Sequence, residues 1–283
     1  MADLKKRLSC NVEGEFFVDS TCIDCSVCRE IAPSVFGDGP DSACVVKQPE
    51  GEEELLPAFQ SLISCPVGAI GTQRLKVPKS VYRSFPILIE DGVYLCGFAS
   101  RKSYGALSYF VEHGEGNWLV DSPRFSGHLV QSISRRGGLK YIFLTHEDDV
   151  ADCNRFAEKF SAKRIIHEAD SHAVPQAEIK LRGYEPVSFG KDFLLIPTPG
   201  HTKGHAVLLY GEKFLFTGDH LAWSRKRRSL VAFREYCWYS WKELVRSMER
   251  LLEFKFEWVL PGHGYRARVS REEFESFVKS LSS

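Results

Sequence analysis

The sequence predicts an α/β protein, with a layered α/β body preceded by a small α+β domain that carries cysteines. Three observations lead to this expectation. From residue 86 onward, short apolar runs alternate with stretches of helical spacing, the pattern of strands joined by crossover helices. Four groups of histidine and aspartate each follow one of those apolar runs. The first seventy or so residues lack long periodic elements and instead hold Cys22, Cys25 and Cys28, with a remote Cys65-Pro66.

Taken in order, residues 16–19 read as a short strand running into the cysteine loop, and 43–46 as its partner. Leu55, Leu56, Phe59, Leu62 and Ile63 recur at helical spacing and predict a helix over 53–63. Cys65-Pro66 leads into a last short strand. Residues 72–84 are polar and contain Pro78, which places the linker there. The expected division is 1–72, a linker over 73–85, and a second domain over 86–283. In that second domain strands are expected over 87–89, 93–96, 118–120, 141–144, 164–166, 193–196, 206–210, 214–216 and 258–260. Helices are expected over 127–136, 150–160, 241–254 and 271–280.

Bulk composition narrows the function. A chain of 283 residues accommodates one large domain and one small one. Its 37 lysines and arginines balance 37 aspartates and glutamates, so net charge gives no reason to expect a nucleic-acid partner. The run Arg225-Lys226-Arg227-Arg228 reads as a solvated loop. No apolar stretch follows the charged first residues, and none approaches the roughly 18 residues of a membrane span. A cytoplasmic or organelle-stromal place is therefore expected. Nine cysteines without a leader argue for reduced thiols and metal ligation over disulfides.

Cysteines at i, i+3 and i+6 can turn three sulfurs inward on one loop, and a distant cysteine supplies the fourth. That is the thiolate set of a [4Fe–4S] cluster. A structural zinc site, which favours paired Cys-x-x-Cys elements, fits this spacing poorly. With one triplet, one cluster is expected; Cys44 stands alone. Cys22-Ile23-Asp24-Cys25-Ser26-Val27-Cys28 and Ser64-Cys65-Pro66-Val67-Gly68-Ala69-Ile70 resemble the opening and closing motifs of single-cluster bacterial-type ferredoxins. The resemblance covers roughly residues 14–72 and implies electron transfer at low potential, with a redox partner protein.

The second constellation is Thr145-His146-Glu147-Asp148-Asp149, Gly200-His201-Thr202-Lys203-Gly204-His205, Gly218-Asp219-His220 and Pro261-Gly262-His263-Gly264. Imidazoles and carboxylates at strand ends suit zinc, iron or manganese, one ion or two. The order of these motifs resembles the metallo-β-lactamase superfamily over roughly residues 86–280, which implies an αββα sandwich. By that resemblance Asp121 is the buried aspartate that orients a ligand from behind, and His201 is a ligand in a loop most like that of glyoxalase II. Asp219 is then the carboxylate that bridges two ions, and His263 the last ligand.

The motif around His146 departs from the superfamily's His-x-His-x-Asp-His. In one register His146 is the second histidine, Leu144 stands in the first one's place and Asp149 replaces the last. In the other, His146 is the first histidine and Asp148 a carboxylate in place of the second, as in flavodiiron proteins, while Val150 and Ala151 stand where Asp and His belong. The first register is preferred because it loses fewer ligands. Either way a histidine is missing, which hardens the site toward iron, manganese or magnesium. Asp152, three residues after Asp149 on the expected helix, shares its face. His167 and His172 read as surface or supporting residues, and His205 and His220 as residues that hold loops or line the pocket.

The metal set expected is therefore His146, Asp148, Asp149, His201, Asp219 and His263, with Asp148 and Asp149 also as proton acceptors. Hydrolysis of a small-molecule thioester or ester is the leading function. The alternatives are a redox enzyme that takes electrons from the cluster and a cluster-based sensor with a degenerate metal site. The aromatic residues Trp223, Phe233, Tyr236, Trp238, Tyr239 and Trp241 read either as core beneath a helix or as a wall beside the metal, with the basic run receiving an acidic substrate.

Overall fold

The computed structural model describes residues 2–281, which divide into two units, Met1–Asn117 with Pro123–Leu139, and Trp118–Ser122 with Lys140–Ser283. The first unit begins with β1 (Phe16–Val18), α1 (Val27–Ile31), β2 (Phe36–Asp38), β3 (Ala43–Val45), α2 (Gly51–Ser64), β4 (Ile70–Thr72) and α3 (Lys79–Arg83). Strand β1 pairs antiparallel with β4, and β3 pairs with β2. The expected pairing of 16–19 with 43–46 is not formed, because the Asn11 side chain joins these two segments. Its Oδ1 accepts from Val18 N and Val45 N, each at 3.0 Å, and its Nδ2 donates to Leu8 O and Val18 O. A buried amide thus satisfies backbone groups that a strand ladder would otherwise satisfy.

Cys10 and Cys44 are joined as a disulfide, with Cα atoms 5.9 Å apart. This corrects the expectation that all the cysteines are reduced thiols. The segment expected to be linker contains α3, whose N-cap is Pro78, where a missing N–H costs the helix nothing. The unit continues with the antiparallel strands β5 (Ile87–Glu90), β6 (Val93–Leu95) and β7 (Tyr109–Val111).

The second unit opens with β8 (Trp118–Val120); α4 (Gly127–Arg135) follows it in sequence but belongs to the first unit. Next come β9 (Tyr141–Phe143), α5 (Cys153–Phe160), β10 (Lys163–His167) and β11 (Ile179–Leu181). Strands β8, β9, β10 and β11 form a parallel ladder in that order. Then follow β12 (Val187–Phe189), β13 (Phe193–Pro197), β14 (Ala206–Tyr210), β15 (Phe214–Gly218), β16 (Ala222–Ser224) and β17 (Ser229–Val231). The unit ends with α6 (Trp241–Leu251), β18 (Trp258–Pro261), β19 (Ala267–Arg268) and α7 (Arg271–Leu281).

A second sheet has the order β12-β13-β14-β15-β18-β19, parallel only between β15 and β18. One of its faces packs Ile196, Val207, Leu215 and Val259 against Leu244 and Met248 of α6 and Phe274 of α7. Its other face meets the parallel ladder, where the Trp118 ring stacks on Phe193 with centroids 4.3 Å apart. Helix α5 packs on β10. The layers are those of an αββα sandwich. No helix among the described residues is long and apolar enough to cross a membrane.

Helix α5 starts at Cys153, with Asp152 at its N-cap, so Asp149 and Asp152 do not share a helical face as expected. Arg164 on β10 ties this part of the unit together, bonding Glu178 through both carboxylate oxygens and Asn154 of α5 at 2.6 Å. The guanidinium holds the Glu178 carboxyl down at about 2, below its usual 4.5. A depressed carboxyl contributes stability that is present above pH 4.5 and lost as pH falls toward 2. Glu178→Gln is expected to cost about 1 kcal/mol at neutral pH, since the partly exposed pair is screened by solvent. In circular-dichroism unfolding curves, the gap from the unsubstituted protein should close as pH is lowered through that window.

Candidate metal centre and cluster site

Cys22, Cys25, Cys28 and Cys65 line one cavity with apolar walls that include Val18, Val27, Val67 and Ile70. Asp24 and Ser26, the residues between the cysteines, have φ of 57° and 68°. That left-handed backbone coils the loop tightly enough to bring three thiols to one side. Buried Arg29 fixes the loop by bonding Asp24 at 2.8 Å and Ser26 Oγ at 2.9 Å. Backbone N–H groups point at the sulfurs: Ala69 donates to Cys65 Sγ at 3.3 Å, Asp24 and Ala43 donate to Cys22, and Val27 donates to Cys25.

Burial nevertheless pushes Cys25 up to about 12 and Cys28 well above the thiol range. Four converging sulfurs, three of them receiving N–H bonds, fit a cationic iron–sulfur core. Gly105, at φ 88°, closes the site: a Cβ there would lie 2.8 Å from Cys25 Sγ and 3.1 Å from Pro66. Gly105→Ala is expected to introduce strain of about 2 kcal/mol and to displace Cys25. The expected readout is less iron and acid-labile sulfide per chain than in the unsubstituted protein.

The metal centre is built from strand ends of the second unit. Just beyond β9, the Thr145 hydroxyl donates to Asp121 and lies 2.9 Å from His146 Nδ1. Thr145 N also donates to Asp121, at 2.8 Å. With its one proton committed to the carboxylate, the hydroxyl oxygen accepts from Nδ1–H, which leaves the Nε2 lone pair of His146 facing the site. Burial lowers the His146 pKa to about 4, so the ring is neutral at physiological pH.

His146 Nε2, Asp148 and the His201 ring come together, and His146, Asp149 and Asp219 form a second group. Asp219 Oδ2 lies 3.8 Å from His146 Nε2, 3.7 Å from His201 Nε2 and 3.8 Å from His263 Nε2. Donors about 2.1 Å from an ion stand roughly 3.4 Å apart in a tetrahedron, so these spacings suit a shared cation. Neither Asp149 oxygen nor Asp219 Oδ1 nor His146 Nε2 has a hydrogen-bond partner, and all are buried. A Cβ at Gly262 would lie 2.7 Å from Asp219 Oδ1 and 2.8 Å from Asp149 Oδ2, so only glycine admits both carboxylates.

Burial and the neighbouring carboxylates push Asp149 well above the usual range, and burial pushes Asp121 up to about 8. A divalent cation among them reverses that balance, and the donor set fits one. One of its groups, His146 with His201 and Asp148, is that of the second register, and the other includes Asp149, the carboxylate that the first register retains. The Thr145 contact, which selects Nε2 of His146, is a tertiary feature that counting retained ligands does not include.

Other residues take supporting places. Asp170, missed in the sequence, is buried and accepts from Thr202 Oγ1, from Gly204 N at 2.7 Å and from Glu147 N at 3.3 Å, clamping the loops of His201 and His146. Its position three residues past β10 was the available signal. Gly204 has no room for a side chain, because a Cβ would lie 2.5 Å from Asp170 Cγ. His205 and His220 are fully buried and stack at 3.8 Å, and burial with the adjacent imidazoles keeps both neutral. His167 bonds Gly183 O and Ala169 N, and exposed His172 pairs with Glu147, so neither joins the centre. Asp152 also stays outside both groups of donors. Trp223 and Trp241 pack against the core, whereas Tyr236, Trp238 and Tyr239 are exposed.

Residues 18–72 match the family model of the 4Fe-4S single cluster domain of Ferredoxin I. Residues 103–263 match that of the metallo-β-lactamase superfamily. The chain belongs to the metallo-β-lactamase superfamily. A hydroxyacylglutathione hydrolase of Acidiphilium cryptum is 30% identical over 118 residues, 40% of this chain and 48% of the relative. A β-lactamase-like protein 2 homolog of Drosophila melanogaster is 26% identical over 189 residues, covering 60% of this chain and 62% of the relative. The chain thus spans about half to three fifths of these two relatives. Among solved structures, the DIM-1 metallo-β-lactamase superposes with TM-score 0.54 at 18% identity, covering 69% of this chain and 96% of that one. A metallo-β-lactamase from Hirschia baltica gives TM-score 0.54 at 15% identity with the same coverage. These two likenesses establish the fold.

Asp121→Asn takes the charge from Thr145's partner and frees the His146 tautomer. Metal affinity is expected to fall by roughly 10–100-fold, measured by competition with a chromophoric chelator, while cluster iron stays constant.

Proposed function

We propose that this chain is a metal-dependent hydrolase acting on a thioester or ester, joined to a single-cluster ferredoxin module. The observation behind this reading is the convergence of three imidazoles on Asp219 Oδ2 beside the partnerless carboxylate of Asp149. His146, Asp148, Asp149, His201, Asp219 and His263 would hold one or two divalent ions. When bound, the metal acidifies water and polarises a carbonyl oxygen.

The chain's own residues do the rest. Asp148 is 48% exposed, whereas Asp219 is 14% exposed and Asp149 1%, so Asp148 is the carboxylate that solvent reaches. Hydrogen bonds from His201 and Trp238 keep its pKa below the usual range, so the carboxylate is ionised at neutral pH and has an oxygen free for a proton from water. Exposed Trp238, whose ring lies 6.1 Å from His201, continues to Tyr236 and offers an apolar wall for an acyl group. Glyoxalase-type relatives support thioesters as the first class to test.

A second reading rests on the donor set. Three aspartates with three histidines form a hard site that also suits iron, and a cluster module on the same chain can supply electrons. Anaerobic purification with elemental analysis and electron paramagnetic resonance separates the two: iron in this site favours the redox reading, and zinc removes it. For hydrolysis, Asp148→Asn is expected to lower kcat on the accepted thioester by about 100-fold, and His201→Ala to lose both metal and turnover. A metal-replete protein that turns over no thioester, ester, lactam or phosphodiester overturns the proposal.

A further inference from the structure

Cys65 supplies the fourth thiol, and the turn that presents it is held by an arginine far away in sequence. Arg124 Nη1 donates to Cys65 O at 3.4 Å, and Nη2 donates to Ile63 O. Arg124 N donates to Phe98 O at 2.9 Å, and the guanidinium carbon lies 5.7 Å from the Phe98 ring centroid. The neighbouring Ala99 N donates to Ser64 O at 3.1 Å. Residues 63–65 are therefore gripped by the 98–99 loop and by Arg124, all within the first unit.

The charge balance around this turn is unusual. Arg29, the other cation near the thiols, is neutralised by Asp24 and Asp38. Arg124 is half-buried, and both of its polar contacts are uncharged carbonyls, with no carboxylate paired to it among the described residues. A cation so placed keeps much of its field, because no carboxylate counter-ion cancels it.

We propose that Arg124 sets the reduction potential of the cluster, its guanidinium stabilising the reduced form beside Cys65. Reduction of the cluster takes one electron from an external one-electron donor and makes or breaks no bond in the protein. It adds one negative charge to the cluster, so a fixed cation favours the reduced state and raises the midpoint. Arg124 lies outside the 18–72 match and within the 103–263 match, so the residue comes from the stretch assigned to the other family.

The test is a redox titration of the full chain followed by electron paramagnetic resonance, with cluster iron and sulfide counted per chain. Arg124→Gln, which keeps hydrogen bonding and drops the charge, is expected to move the midpoint to more negative values. Arg124→Lys, which keeps the charge, is expected to stay near the unsubstituted protein. An unchanged midpoint in Arg124→Gln at full cluster content overturns the proposal, as does an equal fall in both variants. Should Arg124→Gln lose the cluster, Arg124→His replaces it. Its midpoint should match that of Arg124→Lys when the imidazole is protonated and fall below it at about pH 8, well above an ordinary histidine pKa. No difference between His and Lys at either pH overturns the proposal.

Discussion

The metal centre depends on a local excess of negative charge that protein groups leave uncompensated. Asp149 and Asp219 approach the same glycine, Gly262, and their facing oxygens are buried with no hydrogen-bond donor. Burial and the nearby Asp219 push the Asp149 carboxyl well above its usual range, so its charge calls for a cation. His146, kept neutral by burial, supplies a lone pair but no charge. What remains is a group of donors, held at strand ends, whose charge a divalent ion would balance.

Holding those donors requires a shell of groups that never touch the ion. Asp121 fixes Thr145, and Thr145 fixes the ring of His146. Asp170 fixes the loops on either side. The glycines follow from the same crowding. Gly218, at φ 49°, has Thr145 Oγ1 2.6 Å and His205 Nε2 2.7 Å from where a Cβ would stand. The cluster site uses the same plan with different chemistry: N–H groups aimed at sulfur, a loop with two left-handed residues, and a glycine against Cys25.

Much of this was legible in the sequence because it rests on local patterns. Strands β8, β9, β13, β14, β15 and β18 were placed within a residue or two, and Cys22, Cys25, Cys28 and Cys65 meet as their spacing predicts. Strands β7, β11, β12, β16, β17 and β19, each two or three residues long, offer too little periodicity to detect. The Asn11 bridge between β1 and β3, the Cys10–Cys44 bond and the Asp170 clamp join residues separated by up to 34 positions and leave no periodic trace. The donors around His146 fall in two groups, one through Asp148 and one through Asp149, a tertiary arrangement that neither register alone gives.

Gly105 has a consequence for how the two family signatures map onto physical parts. It lies in the stretch that matches the metallo-β-lactamases, yet its backbone presses on a cluster cysteine. A boundary drawn by family resemblance therefore cuts through the wall of the iron–sulfur pocket. Residues 18–72 alone lack the glycine that packs against Cys25.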